Sequence, residues 1–251
     1  MTPAVPRVLV FSEAEAVAQV AAGMVIQAAK MAVHARGRFL LALSGGSTPR
    51  RLYQILASPA CDGVFPWAQT HLLWSDERCV PPGDSRSNYR LAEEAGLLRR
   101  PLASTHRMPG ELPPEAGAAR YEEELADLCA IGAPDAPGFD LPPRLDLVLL
   151  GLGEDGHTAS LFPGSPLLEE RRRWLAATPG PDGLWRLTLT PAVLGEARRL
   201  LFLVTGAAKA ESVAGILSGA TPDLPAARVM AGGARVTVLL DQDAAALLSM
   251  E

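Results

Sequence analysis

The residues best suited to chemistry form a glycine-rich segment that ends in a histidine, GLGEDGH at 151–157. A largely apolar run at 145–150 comes directly before it and predicts a buried strand. In open α/β sheets, ligands bind at the carboxyl ends of the strands. An imidazole whose pKa is ordinarily near neutrality suits general-base activation of water against a reactive carbonyl. We therefore predict His157 as the catalytic base. Glu154 and Asp155 stand beside it, and Asp155 is predicted as a second catalytic residue.

The glycines of this segment allow two interpretations. Backbone amides of the loop, Gly153 and Gly156 among them, are predicted donors to a developing oxyanion. GLGEDG also matches the G-x-G-x-x-G fingerprint of dinucleotide-binding folds. That fingerprint needs a long helix beginning inside the motif and an acidic residue after the next strand. Pro163-Gly164 would stop such a helix early, and the next predicted strand, 174–177, runs into Thr178-Pro179. The dinucleotide match is therefore weak.

A second glycine-rich turn follows the predicted strand 39–43. It reads Ser44-Gly45-Gly46-Ser47-Thr48-Pro49. Thr48 is predicted to cap a helix whose first residue is Pro49. Free amides at a helix N-terminus and the helix dipole both favour a phosphate group. We predict that Ser44, Gly45, Gly46, Ser47 and Thr48 bind phosphate, the structural alternative being a tight turn that needs glycine. The turn lacks the lysine of a Walker A loop.

Charged residues follow two further predicted strands. Asp76-Glu77-Arg78 comes after strand 71–75 and is predicted to be a loop, with ligand binding or ion pairing as its role. Lys209 stands in the turn after strand 200–204, and it is one of only two lysines in an arginine-rich chain. Because lysine and arginine are not interchangeable at a phosphate, we predict a binding role for Lys209.

Strands and helices alternate along the whole sequence. Further strands are predicted at 8–11, 184–189 and 236–240, and amphipathic patterns predict helices between most of the strands, with a last helix capped by Asp241. Residues 131–143, rich in proline, glycine and alanine, are predicted to be a loop. This alternation predicts one three-layer α/β/α domain over residues 1–251, with a mostly parallel, Rossmann-like sheet.

Composition excludes several classes of function. The net charge is −5 and no long basic run occurs, which argues against a nucleic-acid surface. No continuous apolar run approaches the ~18 residues that predict a membrane span, and no leader pattern opens the sequence. The three cysteines are widely spaced and fit neither a disulfide framework nor a zinc site. We expect a cytoplasmic protein that needs no metal.

Four separated segments resemble, in the same order, those of the 6-phosphogluconolactonases. They are LALSGGSTPRRLY, WSDERCVPPGDSRSNYRLA, LDLVLLGLGEDGHTASLFPGS and RLTLTPAVLGEARRLLFLVTGAAKA. That family is similar in fold to the glucosamine-6-phosphate deaminases and ribose-phosphate isomerases, which implies a deaminase-like sheet here. The deaminases continue after the shared histidine as HxAFNEP, whereas this chain has HTASLFP at 157–163. This departure favours a lactonase.

The resemblance implies an activity and assigns roles. His157 would activate water to attack C1 of 6-phosphoglucono-δ-lactone, without a metal or organic cofactor. The turn at 44–48 matches the family's phosphate loop, and Arg78 and Lys209 match basic residues that would close around the phosphate. Asp76 falls where the deaminases keep a proton-shuttling aspartate; in a lactonase we expect it to bind sugar hydroxyls or to hold the basic residues. The expected partner is the small lactone alone, without nucleic acid or membrane, and the expected assembly is a monomer or weak homodimer.

Two other functions remain open on the sequence. A deaminase–isomerase of the related family would release ammonia from glucosamine 6-phosphate. A non-catalytic sugar-phosphate sensor would keep the phosphate turn but would need no base, and neither end of the sequence offers a DNA-binding segment.

Overall fold

The computed structural model describes residues 5–130 and 142–248, and these residues form ten strands. In chain order the strands are β1 (Arg7–Phe11), β2 (Phe39–Leu43), β3 (Thr70–Trp74), β4 (Asp76–Arg78), β5 (Ser104–Thr105), β6 (Leu147–Leu150), β7 (Leu175–Pro179), β8 (Trp185–Leu189), β9 (Arg199–Val204) and β10 (Arg235–Asp241). Seven of them build a central sheet in the order β1-β10-β9-β6-β2-β3-β5, and every neighbouring pair is parallel.

Helices flank this sheet. They are α1 (Ala14–Arg36), α2 (Ser47–Leu56), α3 (Asn88–Glu94), α4 (Pro114–Ala130), α5 (Pro191–Glu196), α6 (Ala210–Leu217) and α7 (Pro225–Met230). Every residue of β2 and of β6 is buried, as expected for central parallel strands that are covered on both faces. The predicted fold class, an α/β domain with a mostly parallel sheet, is confirmed. Strands β7 to β10 lie within two residues of their predicted bounds.

A second, antiparallel sheet was not predicted. Its order is β4-β8-β7, and β4 is the segment 76–78 that the sequence suggested was a loop. Asp76 and Glu77 are both buried in this strand. The Glu77 carboxylate accepts hydrogen bonds from the amides of Arg78, Asn88 and Tyr89 and from the Ser87 hydroxyl. A strand with buried charged residues is difficult to predict, because strand prediction depends on a pattern of apolar side chains.

Two predicted helix starts are wrong. Helix α2 begins at Ser47 with Gly46 as its N-cap, so Thr48 lies inside the helix and does not cap it. The residues after β10 form turns up to position 248 rather than a helix. Asp241 does accept the amide of Ala244, but it also accepts that of Gly206, so its carboxylate joins two turns.

Helix α1 is long and apolar enough, by length and composition, to cross a membrane. In the fold one side of it is part of the core, where Val17, Ala21 and Val25 are fully buried. Core helices of soluble proteins meet the same criterion, so this helix is weak support for a membrane span. The predicted loop at 131–143 lies mostly outside the described residues.

Candidate active site

Four neighbouring strands of the central sheet deliver the candidate site. Strands β9, β6, β2 and β3 are adjacent and parallel, so the residues that follow them emerge at one edge of the sheet. Two cavities adjoin there, one of about 200 Å³ and one of about 240 Å³. We call them the histidine cavity, which His157 lines, and the threonine cavity, which Thr48 and Thr205 line. The residues that border both are Gly45, Gly46, Gly151, Leu152 and Lys209.

His157 is paired with Asp155 in the structure. The His157 Nδ1 atom lies 2.6 Å from Asp155 Oδ1, and the His157 amide donates to the same oxygen at 3.1 Å. An ionised carboxylate can only accept, so Nδ1 carries the proton and the lone pair is left on Nε2. The ring also packs against Phe162, with 5.1 Å between ring centroids. Among the described residues Nε2 has no hydrogen-bond partner, so His157 has a free basic nitrogen beside the cavity.

The protonation state of Asp155 follows from opposing effects. Partial burial raises the pKa of its carboxyl group, but the hydrogen bonds from the amide and ring of His157 lower it by more. The net result is a pKa below the ordinary value for aspartate. Asp155 is therefore an anion at neutral pH, which is the state that fixes the histidine tautomer.

Gly153 and Gly156 shape the loop rather than supply free donors. The Gly153 amide donates to the His157 carbonyl at 2.8 Å, and the Gly156 amide donates to the Gly153 carbonyl at 3.0 Å. Both amides are thus occupied in this conformation, and the predicted oxyanion role of these two residues is wrong for it. A Cβ atom at position 153 would collide with the ring of His157 and with Asp155. Glycine is needed there because the His157 ring and the Asp155 carboxylate lie directly over its Cα atom.

Helices from the last third of the chain hold this loop. Ser212 of α6 donates from its hydroxyl to the Gly153 carbonyl at 3.3 Å. Gly156 has a φ of +81°, and a side chain on it would meet Leu224. The amide of Ala226, in α7, donates to the Gly156 carbonyl at 3.1 Å. The loop is therefore fixed by hydrogen bonds from α6 and α7 and by packing against Leu224.

The turn after β2 is rigid and has free amides. The buried Tyr53 hydroxyl donates to the Ser44 carbonyl at 2.7 Å and accepts from the Ser44 amide at 3.0 Å. A side chain at position 45 would collide with Asn88, which explains the first glycine. Within the residues that the structure describes, the amides of Gly45 and Gly46 donate to no protein acceptor. They border both cavities and are open to an anionic ligand.

Thr48 and Thr205 close the far side of the threonine cavity. Their hydroxyl oxygens lie 2.6 Å apart and join the start of α2 to the end of β9. Ser47 and Lys209 also line this cavity. Amides at the start of α2, hydroxyl groups and one ammonium group form the combination that phosphate binding uses.

The second sheet contributes Asp76. It is buried, lines the histidine cavity and accepts from the Ser160 hydroxyl at 2.7 Å. The Asn88 side-chain amide donates to the Asp76 carbonyl at 2.9 Å and approaches its carboxylate at 3.3 Å. Among the described residues, no basic side chain forms an ion pair with Asp76. A carboxylate held in this way is a ready acceptor for a hydroxyl group.

The two predicted cations occupy different places. Lys209 borders both cavities, and its Nζ atom is 3.6 Å from the exposed Glu154 carboxylate. Arg78 lines only the histidine cavity, where its Nη1 atom donates to the Arg86 carbonyl at 2.6 Å. In the described part of the chain the guanidinium group of Arg78 forms no ion pair with a carboxylate. Its charge is available to a ligand in the cavity that holds His157.

Three buried polar atoms around the histidine cavity lack a hydrogen-bond partner within residues 5–130 and 142–248. They are Ser44 Oγ, Arg78 Nε and Asn88 Oδ1. Buried polar groups are nearly always satisfied in folded proteins, by protein groups, water or a ligand. Their convergence on one cavity indicates that a polar ligand belongs there.

Sequence reasoning missed three residues of the site: Asn88, Ser160 and Thr205. Asn88 opens α3 just after a charged segment, and Thr205 is the first residue of the turn that carries Lys209. Their positions at element ends were a usable signal. Ser160 joins the site through its hydrogen bond to Asp76, and it follows Ala159, whose φ of +49° the sequence does not reveal.

Comparison with known proteins agrees with this geometry. Residues 12–238 match the family described as glucosamine-6-phosphate isomerases/6-phosphogluconolactonase. The chain belongs to this family. A 6-phosphogluconolactonase of Synechocystis sp. is 41% identical over 217 residues, which are 85% of this chain and 86% of that protein. The predicted resemblance is confirmed.

Solved structures of the family have the same fold. The 6-phosphogluconolactonase from Trypanosoma cruzi is 29% identical, with a TM-score of 0.86 over 100% of this chain and 99% of its own. A structure titled devB protein is 35% identical, with a TM-score of 0.84 over 97% and 99% of the two chains. A monomeric glucosamine-6-phosphate deaminase, 23% identical with a TM-score of 0.77 over 96% and 99%, shares the fold.

Proposed function

We propose that this chain hydrolyses 6-phosphoglucono-δ-lactone to 6-phosphogluconate in the cytoplasm. The observation that carries the proposal is the Asp155–His157 pair, which presents a basic nitrogen beside a polar cavity that Arg78 and Lys209 also line. The names of the relatives that cover most of this chain support the same reaction.

The chemistry uses His157 twice. Its Nε2 atom takes a proton from water, and the resulting hydroxide attacks C1 of the lactone. The C1–O bond of the ring then breaks in the tetrahedral intermediate, and the imidazolium returns its proton to the departing oxygen. Asp155 remains ionised throughout and stabilises the imidazolium, in the manner of the aspartate of a serine-protease triad. The steps require no metal or organic cofactor.

The adjoining cavities divide the substrate between them. The phosphate group occupies the threonine cavity, where amides at the start of α2 and the Lys209 ammonium surround it. The lactone ring occupies the histidine cavity, and Lys209, which borders both, lies between the two ends. Binding energy from the phosphate thus positions a carbonyl that is already reactive.

Other groups of the histidine cavity have roles in the proposal. Arg78 supplies positive charge near the lactone, and the free amides of Gly45 and Gly46 are donors to the substrate's oxygens. Asp76, fixed by Ser160 and Asn88, accepts from a sugar hydroxyl. In this proposal Arg78 binds near the lactone and not at the phosphate, which was its predicted role, because Arg78 lines the histidine cavity and not the threonine cavity.

The test is a coupled assay of lactone disappearance with the spontaneous hydrolysis subtracted. Loss of the base in His157→Ala is expected to lower kcat by about 10²–10⁴-fold, the usual contribution of general acid–base catalysis. His34→Ala is the matched control, because His34 is an exposed residue of α1. A fully active His157→Ala enzyme would overturn the mechanism.

Two further assays on the same protein preparation test the alternative functions. Release of ammonia from glucosamine 6-phosphate would identify a deaminase instead. Binding of 6-phosphogluconate without any lactone turnover would identify a sugar-phosphate sensor. The HTASLFP segment after Gly156 favours the lactonase over the deaminase, and the oriented base favours it over the sensor.

A further inference from the structure

A second concentration of charge lies at the opposite edge of the central sheet. Five arginines surround a cavity of about 310 Å³ there, and we call them the amino-edge cluster. They are Arg36, Arg144, Arg198, Arg199 and Arg235. None of them borders either cavity of the candidate active site.

The parallel sheet is what brings these residues together. Arg199 and Arg235 are the first residues of the neighbouring strands β9 and β10 and lie opposite one another in the register. Arg198 directly precedes β9, and Arg144 stands shortly before β6, which is the next strand of the sheet. Arg36 is the last residue of α1. The amino ends of three adjacent strands and one helix terminus therefore converge on the cavity.

The charges of the cluster are poorly compensated. One carboxylate, the buried Asp146, lines the cavity with the five guanidinium groups. Its Oδ1 atom accepts from Arg36 at 2.7 and 3.0 Å, and its Oδ2 atom accepts from the Leu40 amide at 2.9 Å. In the described ranges, Arg144, Arg199 and Arg235 form no ion pair.

Arg198 is the most constrained member. Its Nε atom is buried, lies 3.4 Å from Asp146 Oδ1 and makes no hydrogen bond to any described residue. Burial, and then the positive charges of Arg36 and Arg144, lower the pKa of its guanidinium group. An arginine nevertheless stays protonated in proteins, so the repulsion persists in the folded state. An anion in the cavity would remove this repulsion and satisfy Nε.

We propose that the amino-edge cluster is a binding site for a small phosphorylated anion that carries at least two negative charges. Guanidinium groups match phosphate oxygens in pairs, which favours phosphate over a simple carboxylate. A cavity of this volume falls at the lower end of the range for small-molecule sites. The net charge of the chain is −5, so the cluster is a local feature and not part of a generally basic surface.

This site goes beyond the proposed hydrolysis and is separate from it. The two sites lie at opposite ends of strands β6 and β9, and the cluster contains no group suited to act as a base. A phosphorylated metabolite bound here would stabilise the native protein, because ligands that bind only the folded state do so by mass action.

The experiment measures binding of inorganic pyrophosphate by calorimetry and by the shift in Tm. The proteins compared are the wild type, Arg198→Gln, Arg235→Gln and the control Arg172→Gln, which removes an exposed charge outside the cluster. Each of these four proteins is also prepared in combination with Lys209→Met. This substitution weakens pyrophosphate binding at the active site, so that the remaining binding reports on the cluster. We expect about tenfold weaker binding, or more, in the two cluster variants, since one charge-assisted hydrogen bond contributes about that factor.

Stability without ligand separates binding from folding. Loss of one repelling charge in Arg198→Gln should leave Tm without pyrophosphate unchanged or raise it, while the pyrophosphate-induced rise in Tm falls. Equal pyrophosphate binding by the wild type and both cluster variants would overturn the proposal. Tighter binding of a single-stranded oligonucleotide with the same arginine dependence would also overturn it, in favour of a nucleic-acid surface.

Discussion

Three features of different physical origin orient the imidazole of His157. Asp155 fixes the tautomer by accepting from Nδ1, Phe162 packs against the ring, and the absent side chain of Gly153 gives the ring its room. None of these features alone would present the imidazole as a base. Together they hold one nitrogen at the cavity in the protonation state that the proposed reaction needs.

Asp155→Asn tests the orientation of the base. The Asn amide can donate to Nδ1, which would move the ring proton to Nε2 and remove the lone pair from the cavity. We expect kcat to fall roughly tenfold or more, within the factor that general-base catalysis contributes, while KM changes little. Steady-state kinetics at several pH values would measure both constants. An unchanged kcat would mean that Asp155 has no part in orienting His157.

Loops and helices, rather than single residues, determine where that base points. The loop between β6 and the following turns is held by α6 and α7, through Ser212, Leu224 and Ala226. The turn between β2 and α2 is held by Tyr53. Each loop directly follows a strand that is buried on both faces. The first residues of both loops are therefore held in place by the sheet.

Gly153→Ala tests this positioning. The added methyl group would push His157 and Asp155 away from their present places. We expect kcat to fall by a factor comparable to that of Asp155→Asn, with the circular dichroism spectrum unchanged. Gly23→Ala is the control, since nothing lies near that glycine of α1, and it should raise stability by about 0.5–1 kcal/mol. Full activity of Gly153→Ala would show that the loop accommodates the displacement.

Strand β5 at the sheet edge is tied to the fold by a chain of polar side chains. His71 Nδ1 lies 2.7 Å from Ser104 Oγ, which lies 2.5 Å from His106 Nε2, and His106 Nδ1 lies 2.6 Å from Glu124 Oε1. Burial, followed by electrostatic repulsion from His106 and Arg38, lowers the pKa of His71 below its usual 6.5.

The lowered pKa of His71 predicts a pH dependence of stability. The unfolded chain binds this proton more readily than the folded one, so stability is lost as the pH falls below about 6.5 towards the folded-state pKa. We expect Tm to decrease between pH 7 and pH 5, and the decrease to be smaller in His71→Asn. Thermal unfolding monitored across this range measures both. His34→Asn, at an exposed position, is the control. If it reduced the fall in Tm as much as His71→Asn does, the effect would come from the net charge of the protein and not from His71.

Much of this arrangement could be predicted from the sequence, and the exceptions share a physical cause. SGGST and GLGEDGH each follow an apolar run, and both lie at strand ends as predicted. Strand β4 was missed because Asp76 and Glu77 are charged, whereas strand prediction depends on apolar side chains, and because one partner of buried Asp76, Ser160, is distant in sequence. The occupied amides of Gly153 and Gly156 were also unpredictable, because they depend on the loop's own fold.

Over the whole molecule, the central sheet separates two charged regions. The proposed hydrolytic site is at the carboxyl edge, and the amino-edge cluster is at the other end of the same strands. Both regions assemble from segments that are far apart in the chain: Asp76 and Ser160 are 84 positions apart, and Arg36 and Asp146 are 110 positions apart. Each site is therefore a product of the complete sheet.

The contact between Thr48 and Thr205 has a consequence for refolding. It joins residues 157 positions apart, so closing the threonine cavity costs the entropy of a very long chain loop. Contacts of this kind form slowly, whereas helices form in about a microsecond. After dilution from denaturant, the far-ultraviolet signal should recover first and lactone hydrolysis last. Simultaneous recovery would mean that the two halves of the cavity meet before the helices are complete.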